Sequence, residues 1–146
     1  MTQTSRITAL KFGSGAIIAF GIITLLSLVS PLSAVMGLFL DLAIWPPADG
    51  AYDLISPSAR LLTAIVAGLT VGLGIMLYLL ATTVYPSDAK LGGRIMLAGI
   101  ASWFVVDSLG SILSSSGGWF NVILNLTFLL LIALPILWPA QEQQTV

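Results

Sequence analysis

Four long apolar segments decide which solvent this chain of 146 residues can fold in. They run from about 12 to 32, 58 to 85, 91 to 113 and 119 to 138. Each is long enough for a helix that crosses the hydrocarbon core of a bilayer, which takes about 20 residues. Hydrophobic residues make up 58% of the chain and charged residues 8%, whereas soluble domains carry about 25% charged residues. The solvent is therefore predicted to be lipid.

The composition of these segments favours helices over strands. Leu, Ile, Val, Ala and Gly follow one another without the two-residue alternation that a membrane β-barrel requires. The spans are also joined by short breaks, such as Tyr85-Pro86-Ser87-Asp88 and the Ser/Gly turn at 114–118. We therefore predict an all-α membrane protein, in which residues 1–146 form one integral membrane domain built as a four-transmembrane-helix bundle.

The connection between the first two spans is too long for a tight turn and too apolar for a free loop. Its apolar residues recur near helical spacing within 33–47, after Pro31. This pattern predicts a helical segment that lies along the membrane interface or extends the first span beyond a kink at Pro31. Trp45 stands next to two prolines that end the segment, and its side chain suits the headgroup layer.

The distribution of cations predicts the orientation. Arg6, Lys11, Lys90 and Arg94 fall on one side of a four-span bundle, and the other side carries Arg60 with several aspartates. The positive-inside rule then places both termini in the cytoplasm. Cleavage of the first span as a signal peptide is the alternative. The span is expected to be retained because its apolar run exceeds the usual 7–15 residues of such signals.

Several kinds of chemistry are excluded by composition. The chain has no cysteine and no histidine, so thiol chemistry, disulfides, imidazole metal ligands and histidine acid–base catalysis are ruled out. The formal net charge of −1 argues against nucleic acid as a partner. We predict no metal and no cofactor, and leave a bound lipid open.

Asp107 is the one acidic residue in the middle of a span. A carboxylate at the centre of a membrane helix costs about 2.5–3.5 kcal/mol on insertion scales. At about 1.5 Å per residue, several polar side chains on other spans fall at a similar depth, in the half away from the termini. The sequence predicts one polar cluster there, with an Arg60–Asp107 ion pair at its centre: Arg60, Asp107, Ser111, Asn121 and Asn125.

Three interpretations of this cluster stay open. It is a structural pin that fixes helix register, or it is a ligand or ion site, or part of a proton path, that opens toward the side opposite the termini. The third is that Asp107 pairs with a cation of a partner protein. Catalysis is not predicted, because Asp107 has two serines nearby but no second acid, lysine or histidine to complete a nucleophile–base–orienter set.

Small residues repeat every four positions along the second span, at Ala64, Gly68 and Gly72, and Gly74 and Ala67 widen this series. Such a series lets helix backbones approach closely. It predicts packing against the first or third span, or contact with a second copy or another membrane subunit. Trp103, in the third span, is expected to serve in packing.

Three stretches of the sequence resemble a group of small bacterial inner-membrane proteins with four spans and no established activity. These are Phe39-Leu40-Asp41-Leu42-Ala43-Ile44-Trp45-Pro46, Ala59-Arg60-Leu61-Leu62-Thr63-Ala64-Ile65, and Trp103-Phe104-Val105-Val106-Asp107-Ser108 followed by Asn121 and Asn125. The resemblance implies four helices in a bacterial inner membrane and no catalytic residue. It also adds Asp41 and Trp45 to the candidate interface.

These observations predict a non-catalytic protein that acts by binding other membrane subunits or ligands. The first expectation is an accessory or structural subunit of a larger membrane complex, or a homo-oligomer, surrounded by membrane lipids. The alternative is a binding protein or transporter for a small solute or a lipid, which uses the polar cluster.

Overall fold

A computed structural model describes residues 1–29, 31–44 and 56–139, and every regular element within them is helical. Five helices follow in order: α1 (Gln3–Leu26), α2 (Ser33–Ile44), α3 (Pro57–Leu79), α4 (Ala89–Ser114) and α5 (Gly118–Leu137). The path of α3 continues through a π-helical segment (Leu80–Val84) and a last turn (Tyr85–Ser87). Four of these helical stretches are long and apolar enough to cross a membrane. The predicted all-α fold with four spans is confirmed.

Polar side chains set the helix starts. The Thr2 side chain accepts a hydrogen bond from the Ser5 amide, so α1 begins at Gln3 rather than at the predicted 12. Ser56 caps α3 in the same way, and Asp88 caps α4 by accepting from the Leu91 amide at 2.8 Å. Such caps satisfy amide groups that have no partner inside the helix. Hydropathy located the spans, but the caps fixed their ends.

The segment after α1 forms a separate helix. α1 ends at Leu26, Pro31 lies in a turn, and α2 then runs for 12 residues, which is too short to cross a bilayer. The turn between α4 and α5 binds the end of α2. The Ser115 hydroxyl donates to the Ala43 carbonyl at 2.7 Å, and the Gly117 amide donates to the Ile44 carbonyl at 3.2 Å. Of the two predicted arrangements, the extension of the first span is wrong.

Both described ends of the chain meet at one end of the bundle. The Met1 ammonium donates to the Pro139 carbonyl at 3.2 Å, and the Gln3 amide donates to the Pro86 carbonyl at 3.1 Å. We call this the terminal end. The opposite end, which carries α2 and the α4–α5 turn, is called the loop end.

The helices pack unevenly. α1 packs along α3 and α5, and α4 packs along α5. α3 and α4 meet near the terminal end, through the π-helical segment and the turn after it, and make at most isolated contacts elsewhere along their described lengths. A gap between α3 and α4 therefore remains toward the loop end.

A close helix contact joins α1 and α3 through glycines. A Cβ atom at Gly74 would lie 2.9 Å from the Ile18 backbone nitrogen, and one at Gly21 would lie 2.9 Å from the Val71 nitrogen. The absence of a side chain lets the two backbones approach. Below this contact, toward the terminal end, a buried core joins all four spans: Leu10, Ile17, Leu77, Ala81, Tyr85, Met96, Ile100, Phe128 and Ile132.

The predicted small-residue series faces outward. Gly68 and Gly72 are exposed and have nothing within 4 Å of a built Cβ atom, and Ala64 is half-buried. Packing of this series against the first or third span is therefore wrong for the two glycines. Ala67 and Gly74, which widen the series, do contact α1, the first span, as predicted. Contact of Gly68 and Gly72 with another subunit stays a prediction.

Candidate functional site

The Asp107 carboxylate joins α4 to α5. Its Oδ2 atom accepts hydrogen bonds from the side-chain amides of Asn121, at 2.9 Å, and Asn125, at 2.5 Å. The two asparagines are one helical turn apart on α5, so both face α4 at the same place. Two donors on one oxygen satisfy much of the bonding capacity that lipid could not provide.

Two serines of α4 complete the cluster. The Asn121 amide also donates to the Ser111 hydroxyl at 2.7 Å, and the Asn125 amide donates to the Ser108 hydroxyl at 3.3 Å. Ser111 in turn donates to the Asp107 backbone carbonyl at 2.8 Å. Asn125 is 2% exposed and Ser108 is 5% exposed, whereas Asp107 is half-buried. The "α4–α5 polar cluster" below means Asp107, Ser108, Ser111, Asn121 and Asn125.

Arg60 lies outside this cluster. Its guanidinium donates to the Leu28 carbonyl, at the end of α1, at 3.0 Å. Among the described residues Arg60 and Asp107 form no salt bridge, so the predicted pair is absent. The reason is the packing order. Arg60 stands on α3, which packs against α1, and the gap separates α3 from α4.

The gap between α3 and α4 contains a cavity of about 370 Å³. Three members of the α4–α5 polar cluster line it: Asp107, Asn121 and Asn125. The remaining wall is mostly apolar and comes from α1, α2, α3 and α4, with α2 across the loop end: Phe20, Thr24, Met36, Phe39, Leu40, Ala59, Leu62, Thr63, Val66, Thr70 and Trp103. Small-molecule sites have this volume and this mixture of apolar wall and few polar groups.

A second cavity of about 420 Å³ meets the cluster from the turn between α4 and α5. Phe39, Asp107 and Asn121 line both cavities. The other lining residues of the second cavity belong to α2, α4 and the turn: Ala43, Val106, Gly110, Ser111, Ser114 and Ser115. Asp107 therefore has open space on two sides, one polar and near the loop end, the other apolar and deeper.

Aromatic rings from α1, α2, α4 and α5 pack against one another beside the cavity between α3 and α4. Phe39 of α2 packs on Phe20 of α1 at 6.4 Å between ring centroids, and Phe20 packs on Phe128 of α5 at 5.4 Å. Trp103 of α4 then packs on Phe128 at 6.3 Å. Trp103 thus packs as expected from the sequence, and it also lines the cavity, which its position in the sequence did not indicate.

The remaining candidate residues lie elsewhere. Asp41 is 4% exposed on α2, so it does not present an open surface. Trp45 lies outside the described residues. The sequence prediction missed Ser108, although it follows Asp107 directly, and it missed the α3 residues that face the gap. Threonines at 63 and 70 are the one polar signal on that face of α3.

Comparison with protein-family models, with curated proteins and with solved structures finds no significant match for this chain. The resemblance to small bacterial four-span proteins stays a prediction.

Proposed function

We propose that this protein binds a small solute or a lipid in the cavity between α3 and α4, within the membrane. The observation that supports this proposal is the position of the α4–α5 polar cluster. Asp107, Asn121 and Asn125 all line a cavity of about 370 Å³. A cluster that served only as a structural pin would need no such space beside it.

The cavity is accessible from two directions in this proposal. The gap between α3 and α4 faces the surrounding lipid, and the second cavity leads from the cluster toward the α4–α5 turn. With the terminal end in the cytoplasm of a bacterium, as its four cations favour, a ligand would enter from the outer leaflet or the outer aqueous phase. Binding is proposed without a chemical reaction and without a metal or cofactor.

Thiol labelling tests whether the cavity is open to water. The chain has no native cysteine, so Thr63→Cys, a nearly isosteric change in the cavity wall, gives one reactive group. Leu69→Cys, on the lipid-facing side of the same helix, is the matched control, since Leu69 is 70% exposed but lines no cavity described here. We expect a water-soluble methanethiosulfonate to label Thr63→Cys in lipid nanodiscs at least tenfold faster than Leu69→Cys. Equal, slow labelling of both would contradict an open site.

A second function is favoured by the outward face of α3. Gly68 and Gly72 expose backbone on a membrane helix, where close contact with another helix is the usual role of glycine. An accessory subunit that packs this face against a partner or a second copy is the alternative proposal. Gly68→Leu would then remove a crosslink that forms in native membranes, whereas Gly99→Leu, on an equally open site of α4, would leave it intact.

A further inference from the structure

The hydrogen-bond donors of the α4–α5 polar cluster are already used within it. Each asparagine amide nitrogen has two hydrogens. Asn121 donates to Asp107 and Ser111, and Asn125 donates to Asp107 and Ser108. The Ser111 hydroxyl donates to the Asp107 backbone carbonyl. The cluster has therefore few hydrogens left to offer a ligand.

Its acceptors, in contrast, remain. The hydrogen bonds from the Asn121 and Asn125 side-chain amides both reach Oδ2 of Asp107. None of the described residues donates to Oδ1 of Asp107 or to the side-chain oxygens of Asn121 and Asn125. These oxygens have lone pairs that a ligand can use. The described lining of both cavities contains Asp107 but no lysine and no arginine. Arg60, next to the lining Ala59, binds the Leu28 carbonyl.

The walls call for an apolar body. Around the three acceptors, the cavity of about 370 Å³ is bounded mostly by leucine, valine, methionine, alanine and aromatic side chains, together with Thr24, Thr63 and Thr70. Phe20, Phe39 and Trp103 are among them, and aromatic faces attract cations as well as apolar groups. A bare metal ion would leave most of this wall without a contact.

We infer that the ligand of this site is a hydrophobic ammonium ion, with its N–H groups on Asp107, Asn121 and Asn125 and its apolar body against the α3 and aromatic walls. An ammonium head supplies both the donors and the positive charge that the cluster lacks. Anions are disfavoured by the same charge, and the cluster itself has few hydrogens for a molecule that carries acceptors only. This inference rests on the proposed function and names the class of its ligand.

A protection experiment tests this class with three probes that share one skeleton. Thr63→Cys in nanodiscs is labelled in the presence of 3-phenylpropylammonium, 3-phenylpropanol or 3-phenylpropanoate. We expect the ammonium probe alone to slow labelling, by at least tenfold, and we expect Asp107→Asn to abolish that protection. Equal protection by the alcohol or the carboxylate, protection by sodium ion alone at the same concentration, or unchanged protection in Asp107→Asn would each overturn the inference.

A second measurement does not depend on an Asp107 variant that folds. The rates of a cationic thiol reagent, 2-aminoethyl methanethiosulfonate, and an anionic one, 2-sulfonatoethyl methanethiosulfonate, are compared at Thr63→Cys and at the exposed Ser116→Cys. We expect the cation-to-anion ratio at position 63 to exceed that at position 116 by at least tenfold. Equal ratios at the two positions would overturn the inference. If position 63 were still labelled rapidly, the proposed binding cavity would stand. Absence of any labelling at position 63 would instead reject the proposed function itself.

Discussion

The two halves of the bundle pack α3 and α4 in opposite ways. Toward the terminal end, the side chains of all four spans interdigitate around Tyr85, which is 1% exposed. Gly92 lets α4 approach this residue closely, because a Cβ atom built at Gly92 would lie 2.9 Å from the Tyr85 backbone. Toward the loop end, α3 and α4 separate, and polar groups line the space between them. The close packing in the terminal half therefore holds α3 and α4 together, and this leaves room for a cavity between them in the loop half.

This comparison has a physical basis in the membrane. Lipid tails are as apolar as leucine side chains, so helices associate through close packing and polar contacts rather than through the hydrophobic effect. A well-packed half can therefore hold a bundle whose other half is open. Four experiments test this division, in order of expected effect.

Enlarging a side chain in each half gives the largest contrast. Ala81 is 0% exposed in the terminal core, so Ala81→Leu should lower the free energy of unfolding by about 3 kcal/mol, at the upper end of overpacking costs. Thr63 borders the cavity, and Thr63→Leu should change it by less than about 0.5 kcal/mol, since the added atoms enter empty space. Titration with sodium dodecyl sulfate in mixed micelles measures both. Similar losses would mean that the loop half is as closely packed.

The glycine contact between α1 and α3 should be almost as sensitive. A Cβ at Gly74 would meet the Ile18 backbone nitrogen at 2.9 Å, so Gly74→Ala should destabilise the protein by about 2 kcal/mol. Gly72→Ala is its control, because a Cβ there meets nothing within 4 Å, and alanine favours a helix by about 1 kcal/mol over glycine. Opposite signs in the same titration are the expected result, and a loss in both variants would contradict the described helix faces.

The α4–α5 polar cluster should respond as a unit that excludes Arg60. Asn125→Leu should cost about 1 kcal/mol, within the range of interhelical hydrogen bonds in membranes. In a double-mutant cycle with Asp107→Asn it should couple by a similar amount, because the two side chains share a hydrogen bond at 2.5 Å. Arg60→Gln with Asp107→Asn should add to within about 0.5 kcal/mol. Strong coupling between Arg60→Gln and Asp107→Asn would instead indicate an Arg60–Asp107 ion pair and would contradict this description.

An exposed contact in the terminal half should matter least. The Lys11 ammonium lies 5.9 Å from the centre of the Tyr78 ring, between α1 and α3. Lys11→Met should cost about 0.5 kcal/mol, as expected for an exposed cation–π contact. Lys90→Met, at another exposed position near the same end, serves as the control. A loss above that of Gly74→Ala would show that surface charge, rather than close packing, holds this half together.

Depth along the membrane was predictable because it depends on the chain alone. The rise per residue placed Asp107, Ser111, Asn121 and Asn125 at one level, and the structure brings their side chains together. The same reasoning placed Arg60 at that level and wrongly included it in the cluster. Depth does not tell which helix is a neighbour, and Arg60 stands on a helix whose neighbour is α1.

The sequence also did not predict which face of each helix points toward another helix. Gly68, Gly72 and Gly74 look alike in sequence, yet only Gly74 of the three has another backbone within 4 Å of a built Cβ atom. In water the apolar face of a helix points inward, which makes a sequence informative about faces. In lipid both faces are apolar, so the pattern that distinguishes them is absent from α3.

The sequence by itself determined that this protein has four helices in a membrane, because each span must satisfy its own backbone hydrogen bonds within lipid. It also determined that α4 and α5 share a polar level, because a buried carboxylate requires partners at its own depth. Only the tertiary structure decided that α3 stands apart from α4, that α2 covers the loop end, and that the cluster borders a cavity. Those features depend on which helix backbones can approach one another, and that is settled by small residues and packing between distant parts of the chain.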